Sequence, residues 1–420
     1  MHHFQYRNKE LHCEDVPVSR IAKEIGTPFY LYSHATLRQH FRAFDGAFGD
    51  VAHLTCFSMK SNSNLAILKL FALEGGGVDI VSGGELYRAL KAGVEPKKIV
   101  YSGVGKTAED MEYALRSQIL LFNVESSQEI RLLDEIAGRM GKKAAVSIRV
   151  NPDIDPQTHP YISTGLKENK FGIDIRQALE EYTRVSGLKN LTVSGVSCHI
   201  GSQLTRLSPF VDALNKLKDL IGQLRKIGIG VSYLDLGGGL GITYNQEDPP
   251  HPREYAKAIK DELHIRDVTV ILEPGRVIVG NAGILVAKVL YKKTTAEKGF
   301  VIVDAAMNDL IRPSLYGSFH GIEPVRIKTR AKIKADVVGP ICESSDFLAK
   351  DRVMDAFETG DLLAVMSAGA YGFSMSSNYN SRPRITEVLG KGDTYHVIRA
   401  RERYEDLVRG ERIPDFMKTE

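Results

Sequence analysis

The chain has 420 residues, more than one ordinary domain holds. With 43% hydrophobic and 25% charged residues it has the balance of a soluble globular protein. Its 55 Lys and Arg against 52 Asp and Glu leave a net charge of +3, which argues against a nucleic-acid or membrane-surface role. No run approaches the roughly 18 apolar residues of a membrane span, and the first ten residues lack a signal-peptide core. The four cysteines (Cys13, Cys56, Cys198 and Cys342) make no C-x-x-C pair, so a cytoplasmic protein without a disulfide framework or a metal site is expected.

In chain order, the residues up to about Tyr32 precede the first regular unit. From there short β-branched runs alternate with amphipathic stretches. Eight strands are predicted, near 53–58, 78–81, 99–102, 119–124, 145–150, 192–199, 232–236 and 268–272. Between most of them the apolar period becomes helical. Phe210, Leu214, Leu217, Ile221 and Leu224 make one such stripe. Eight β–α units over roughly 250 residues fit a (β/α)8 barrel at 33–279, with an open doubly wound sheet as runner-up. After Gly280 short β-rich runs near 284–291, 300–304 and 361–366 are separated by Gly, Pro and Asp. They predict a second, mostly β domain made of 280–420 with the N-terminal 1–32, to which the N-terminal segment adds a strand.

Polar and glycine signals cluster just after the predicted strands. Lys60 follows the first, Gly83-Gly84 the second, and Gly103 and Gly105 the third. His199-Ile200-Gly201-Ser202 follows the sixth, Gly237-Gly238-Gly239 the seventh, and Glu273-Pro274-Gly275-Arg276 the eighth. A barrel gathers all of these on one face. A single glycine there is ordinarily a tight turn; turns that also carry Lys, His, Ser, Glu and Arg suggest chemistry. Gly103-Val104-Gly105-Lys106-Thr107 ends like a phosphate-binding P-loop, but Val100 stands where the first glycine is needed, so no nucleotide site is expected.

Lys60 inside a barrel mouth would be partly desolvated. That would lower its pKa and offer a neutral amine for Schiff-base formation. Gly237-Gly238-Gly239 can bring backbone N–H groups to a phosphate, and Arg276 can add a charged fork. Glu273 can keep the ring nitrogen of pyridoxal phosphate protonated, the condition for that cofactor to act as an electron sink. His199 can lie flat against the ring.

With these residues in hand, the sequence resembles the fold-type III pyridoxal-phosphate decarboxylases, specifically the diaminopimelate decarboxylases, over nearly the whole chain. The segments that carry the likeness are 57–62, 81–86, 199–203, 234–240, 273–276, 312–316, 342–348 and 368–372. The resemblance implies that Lys60 holds the cofactor covalently and that His199 stacks on its ring. It implies phosphate contacts from Ser202, Gly239, Gly275 and Arg276, a pyridinium partner in Glu273, and further cofactor contacts from Asp79, Gly238 and Tyr371. It gives Arg276, Arg312, Tyr316 and Tyr371 to the substrate, Glu343 to its distal amino group, and Cys342 to reprotonation of the α-carbon. It places Cys342 and Glu343 in a neighbouring subunit, hence a homodimer. The implied reaction is decarboxylation of meso-2,6-diaminopimelate to L-lysine, the last step of lysine biosynthesis.

Two departures stand out. The lysine segment is commonly Tyr-Ala-x-Lys-Ala-Asn in that family, whereas this chain has Phe57, Ser58 and Ser61. Ser345 stands where a glycine is usual. Other readings on the same scaffold are a decarboxylase of ornithine, arginine or carboxynorspermidine, an amino-acid racemase, and a non-enzymatic regulator that binds pyridoxal phosphate. The Arg312, Tyr316 and Glu343 set argues against the first, Glu273 against the second, and the presence of both Lys60 and Cys342 against the third.

Overall fold

A computed structural model describes residues 2–155 and 169–417. They form two compact units, one of residues 35–282 with 369–374, the other of residues 2–34, 283–368 and 375–417.

The first unit is a closed parallel barrel. Its strands are β1 (His53–Ser58), β2 (Gly77–Ile80), β3 (Ile99–Tyr101), β4 (Leu121–Val124), β5 (Ala144–Asn151), β6 (Leu191–Ser197), β7 (Tyr233–Asp235) and β8 (Thr269–Leu272). Each pairs with the next, and β8 pairs with β1 through Val270 and His53, which closes the ring. The predicted order of eight β–α units is therefore observed, and the open sheet is not. The strand predicted at 192–199 ends earlier, at Ser197, so Cys198 and His199 lie in the loop beyond it.

Local sequence sets where the strand-to-helix turns end. Asn64, Ser82, Thr107 and Ser126 each accept a backbone N–H with their side chain, at the starts of helices Leu65–Leu73, Gly83–Lys91, Ala108–Ser117 and Ser127–Arg139. These caps stop each turn short. The apolar stripe predicted around Phe210 lies on helix Ser208–Lys226, with Phe210, Leu214, Leu217, Ile221 and Leu224 all buried. Inside the barrel, Cys56, Val100, Leu121 and Ile271 from β1, β3, β4 and β8 pack into one apolar cluster. The C-terminal ends of the strands, beyond this cluster, carry most of the buried polar side chains.

Residues 369–374 return to the barrel unit, which a single boundary at 280 does not anticipate. The reason is hydrogen bonding to the Lys60 turn. Tyr371 N and Ser374 Oγ donate to Ser61 O at 2.8 and 3.3 Å, and Asn62 Nδ2 donates to Gly369 O at 3.2 Å.

The second unit is mostly β. Its main sheet runs Phe347–Asp355, Lys332–Val338, Gly299–Val303, Gly283–Thr294, Phe29–Ser33, Thr386–Lys391, Thr394–Arg399. The N-terminal segment does add a strand to it: Phe29–Ser33 pairs antiparallel with Gly283–Thr294 and parallel with Thr386–Lys391. Phe29, Leu31, Ile284, Val286 and Val388 from these strands share a core with Phe4, Leu11 and Val16 of a small N-terminal sheet. Among the described residues no helix is long and apolar enough to cross a membrane.

Candidate active site

Each barrel strand delivers at least one buried polar side chain at or just past its C-terminal end. Taking one per strand, Ser58, Asp79, Ser102, Asn123, Arg149, Ser197, Asp235 and Glu273 make a ring, none more than 8% exposed. Burying eight polar groups in a ring is costly unless they satisfy one another or a ligand.

Lys60 sits on the short turn Met59–Ser61 that follows β1. Its Nζ lies 3.2 Å from Asp79 Oδ2, and Ser58 Oγ donates to the same oxygen at 2.9 Å. Burial acts to lower the Lys60 pKa, but the charges of Asp79, Tyr371 and Glu273 outweigh it, and the ammonium is held above the usual lysine range. The sequence reading, which had the amine neutral through desolvation, is corrected here: a carboxylate within ion-pair distance wins over burial.

The β7–β8 side carries the glycines. A Cβ at Gly238 would lie 2.1 Å from Glu273 O, so only glycine lets the two loops touch. Gly238 N donates to His199 Nδ1 at 3.1 Å. That leaves the ring proton of a neutral His199 on Nε2. Burial, with the charges of Lys60 and Arg149 added, holds this histidine well below its ordinary pKa. Asp235 accepts from Gly237 N at 2.9 Å and Asn123 Nδ2 at 2.7 Å. Glu273 accepts from Ser102 Oγ at 3.4 Å. Burial first, then the Asp235 and Asp79 charges, push the Glu273 carboxyl well up. Of the two neighbouring acids, Asp235 has the stronger N–H donors and Glu273 keeps the proton.

Arg276, 5% exposed, begins the short helix Arg276–Val279 after Gly275. Its Nη2 donates to Ser202 Oγ at 3.0 Å and its Nη1 to Tyr244 OH at 2.7 Å. The guanidinium lies 4.9 Å from the centre of the Tyr371 ring, which is presented by a backbone at φ 55°. Lys60, Asp79, His199, Ser202, Gly238, Gly239, Glu273, Gly275, Arg276 and Tyr371 are thus all in the barrel unit. Lys106, from the P-loop-like segment, is committed elsewhere. It is buried and donates to Gly103 O, Asn123 O and Glu129 Oε1 at 2.7–2.8 Å.

Arg312, Tyr316, Cys342 and Glu343 belong to the second unit. Arg312 and Tyr316 bound one short helix, and Ser314 Oγ of that helix donates to Ser345 O at 2.5 Å. Cys342 is exposed, and none of the four cysteines is in a disulfide. Glu343 accepts from the Tyr379 hydroxyl and, at 2.8 Å, from Ser345 Oγ, and these bonds lower its pKa.

Comparison with known proteins accounts for this ring of groups. Residues 34–280 match the family model described as the pyridoxal-dependent decarboxylase, pyridoxal binding domain. The chain is 54% identical over 410 residues to the diaminopimelate decarboxylase of Pseudomonas aeruginosa, covering 98% of this chain and 99% of that one. It is 51% identical to that of Aquifex aeolicus, covering 97% and 96%.

The chain belongs to the diaminopimelate decarboxylase family.

Among solved members of the family, the M. jannaschii diaminopimelate decarboxylase superposes with a TM-score of 0.95 at 37% identity, covering 99% of both chains. That of Helicobacter pylori, complexed with L-lysine, gives 0.90 at 46% identity, covering 93% of this chain and 98% of that one. The family's cofactor can be tested against the barrel mouth. Asn123 Oδ1, Ser197 Oγ and Asp79 Oδ1 are buried without a hydrogen-bond partner, as expected where a polar ligand belongs. A buried acid that retains its proton suits a basic ring nitrogen. A buried arginine beside a hydroxyl and a glycine turn suits a phosphate. The residues fit pyridoxal phosphate. Among the described residues no group of three or more His, Cys, Asp or Glu is arranged to hold a metal ion.

The departures from the family pattern gain physical content. Ser58 is a second donor to the carboxylate that holds Lys60, and Ser345 a second donor to Glu343. Several residues escaped the sequence reading: Ser102, Asn123, Arg149, Ser197, Asp235 and Tyr244. Arg149 lines the same cavity as Lys60, His199 and Glu273 and pairs with Glu125 at 3.0 Å. For most of them a signal existed, one polar residue near the end of an otherwise apolar strand.

Proposed function

We propose that this protein is a pyridoxal-phosphate-dependent carboxy-lyase that converts meso-2,6-diaminopimelate to L-lysine and carbon dioxide. The reading is carried by the Lys60–Asp79 pair at the barrel mouth, in a chain alike to diaminopimelate decarboxylases from end to end. The related structures complexed with L-lysine accord with that product.

Pyridoxal phosphate, when bound, supplies an electron sink for the pair released from the broken C–C bond. The chain's own residues do the rest. Lys60 provides the amine that anchors the cofactor, and Asp79 takes up or steadies the proton that amine carries. Ser202, Gly239, Gly275 and Arg276 would hold the phosphate, with Gly238 beside them fixing His199. His199 would lie against the ring. Glu273 would be the partner of the ring nitrogen, its buried carboxyl able to share a proton with that base. Arg276 and Tyr371 face both cofactor and substrate.

Arg312 and Tyr316 bind the carboxylate at the end of the substrate remote from the reacting carbon, and Glu343 binds the amine there. Cys342 Sγ delivers the proton that replaces the lost carboxylate. Cys342 and Glu343 come from a second copy of the chain, so the working protein is a homodimer, and its place is the cytoplasm.

The test is lysine formation from meso-diaminopimelate with and without added pyridoxal phosphate, run beside L-ornithine, L-arginine and L-lysine. Consumption of diaminopimelate alone supports the proposal. Decarboxylation of another of these amino acids instead would keep the scaffold and overturn the roles of Arg312, Tyr316 and Glu343.

A further inference from the structure

Arg312 is gripped by a histidine that the site residues above do not include. His320 is fully buried. Helix Arg312–Tyr316 ends at Gly317 in a left-handed turn, and the chain then doubles back so that residues 318 and 320 meet the guanidinium. Arg312 Nη2 donates to Ser318 Oγ at 3.2 Å, and Arg312 Nη1 lies 3.0 Å from His320 Nε2. The other ring nitrogen, Nδ1, lies 2.8 Å from Met366 O.

These two contacts settle the state of the imidazole. A carbonyl oxygen only accepts, so Nδ1 carries the proton. A guanidinium only donates, so Nε2 is bare. His320 is therefore neutral, in the less common of its two forms. Met366 is itself anchored, its N donating to Gly321 O at 2.8 Å just beyond strand Leu362–Val365. The tautomer is set by a backbone carbonyl at the end of the sheet, and it supplies the one kind of atom, an acceptor, that can orient a buried guanidinium without adding charge.

We propose that His320, held as the Nδ1–H tautomer by Met366, is a positioning residue for substrate recognition: it fixes the rotation of the Arg312 fork. The inference rests on the reading of Arg312 as the group that binds the remote carboxylate. A planar fork makes two parallel bonds to a carboxylate only in one orientation, and small misplacements of such clamps are costly. A histidine that merely fills the core predicts no such ligand-specific effect.

The test uses the pyridoxal-phosphate-loaded enzyme and two inhibitors of equal chain length, L-lysine, which carries a carboxylate at the remote end, and 1,5-diaminopentane, which does not. His320→Leu keeps the bulk and removes the acceptor. It should raise KM for meso-diaminopimelate and the inhibition constant of L-lysine by about tenfold or more, equivalent to about 1.4 kcal/mol. The constant for 1,5-diaminopentane should stay within about twofold. His320→Gln, whose amide oxygen can replace Nε2, should recover most of the loss. His320→Asn, which reaches Met366 but not Arg312, should not, and this pair carries the test if the leucine variant does not fold. Equal weakening of both inhibitors, or of neither, overturns the proposal. Arg312→Ala run alongside separates the two ideas. If it weakens L-lysine while His320→Leu does not, only the role of His320 falls; if it too leaves L-lysine unchanged, the reading of Arg312 falls with it.

Discussion

Lys60 Nζ and Asp79 Oδ2 lie 3.2 Å apart at the mouth of the barrel, and this carboxylate, not burial, sets the charge on the amine. Anchoring a carbonyl cofactor needs the neutral amine. With its pKa raised, Lys60 becomes neutral only at higher pH, so attachment of pyridoxal phosphate should quicken as pH rises. Asp79→Asn removes the anion and leaves burial, which acts in the opposite direction. The attachment-rate profile, followed by visible absorbance on cofactor-free protein, should then shift down by about one pH unit or more. An unmoved profile would show that Asp79 does not control Lys60.

Glu273 offers a test with a definite sign. Its carboxyl is pushed up by burial and by Asp235 and Asp79. A group whose folded pKa is raised stabilises most below its unfolded value, about 4.3, and that contribution is lost as pH rises toward the folded value. Cofactor-free protein should lose stability to denaturant from about pH 5 upward, and Glu273→Gln should flatten that slope. In the loaded enzyme the same variant cannot hold a proton on the ring nitrogen. Its kcat should fall by at least about a hundredfold with cofactor still bound.

Arg312→Ala should cut kcat/KM for meso-diaminopimelate by about a hundredfold, because a site built for a carboxylate then meets it without its partner. A change at an exposed barrel helix should do far less. A loss within about twofold, under roughly 0.4 kcal/mol of barrier, would contradict the assignment.

Gly238→Ala probes the glycine turn. Its Cβ would stand 2.1 Å from Glu273 O, a backbone atom that cannot swing aside. The loops must part, at a cost of about 1–3 kcal/mol in denaturant titrations. Cofactor affinity should drop in parallel, since Gly238 N also fixes His199.

What was legible in the sequence follows from which forces are local. The alternation of strand and helix periods is written in consecutive residues, so the eight units could be read in order. The glycines at the β7 and β8 ends could be read because a close backbone approach tolerates nothing else. The charge on Lys60 could not, because it depends on Asp79 nineteen positions away meeting it across two strands. Nor could the bond from Asn123 to Asp235, 112 residues apart, which exists only once the barrel closes. Lone polar residues such as Arg149 and Ser197 in apolar strands look like irregularities until the ring they form is seen. The return of residues 369–374 is likewise a matter of hydrogen bonds to Ser61 and Asn62, not of composition.

The most direct measurement is reductive trapping. Loaded enzyme is treated with borohydride, digested, and the phosphopyridoxyl-bearing peptide sequenced by mass spectrometry. The account predicts a single label on Lys60. A label on another lysine, Lys106 included, or turnover of diaminopimelate that survives in Lys60→Ala, would contradict it.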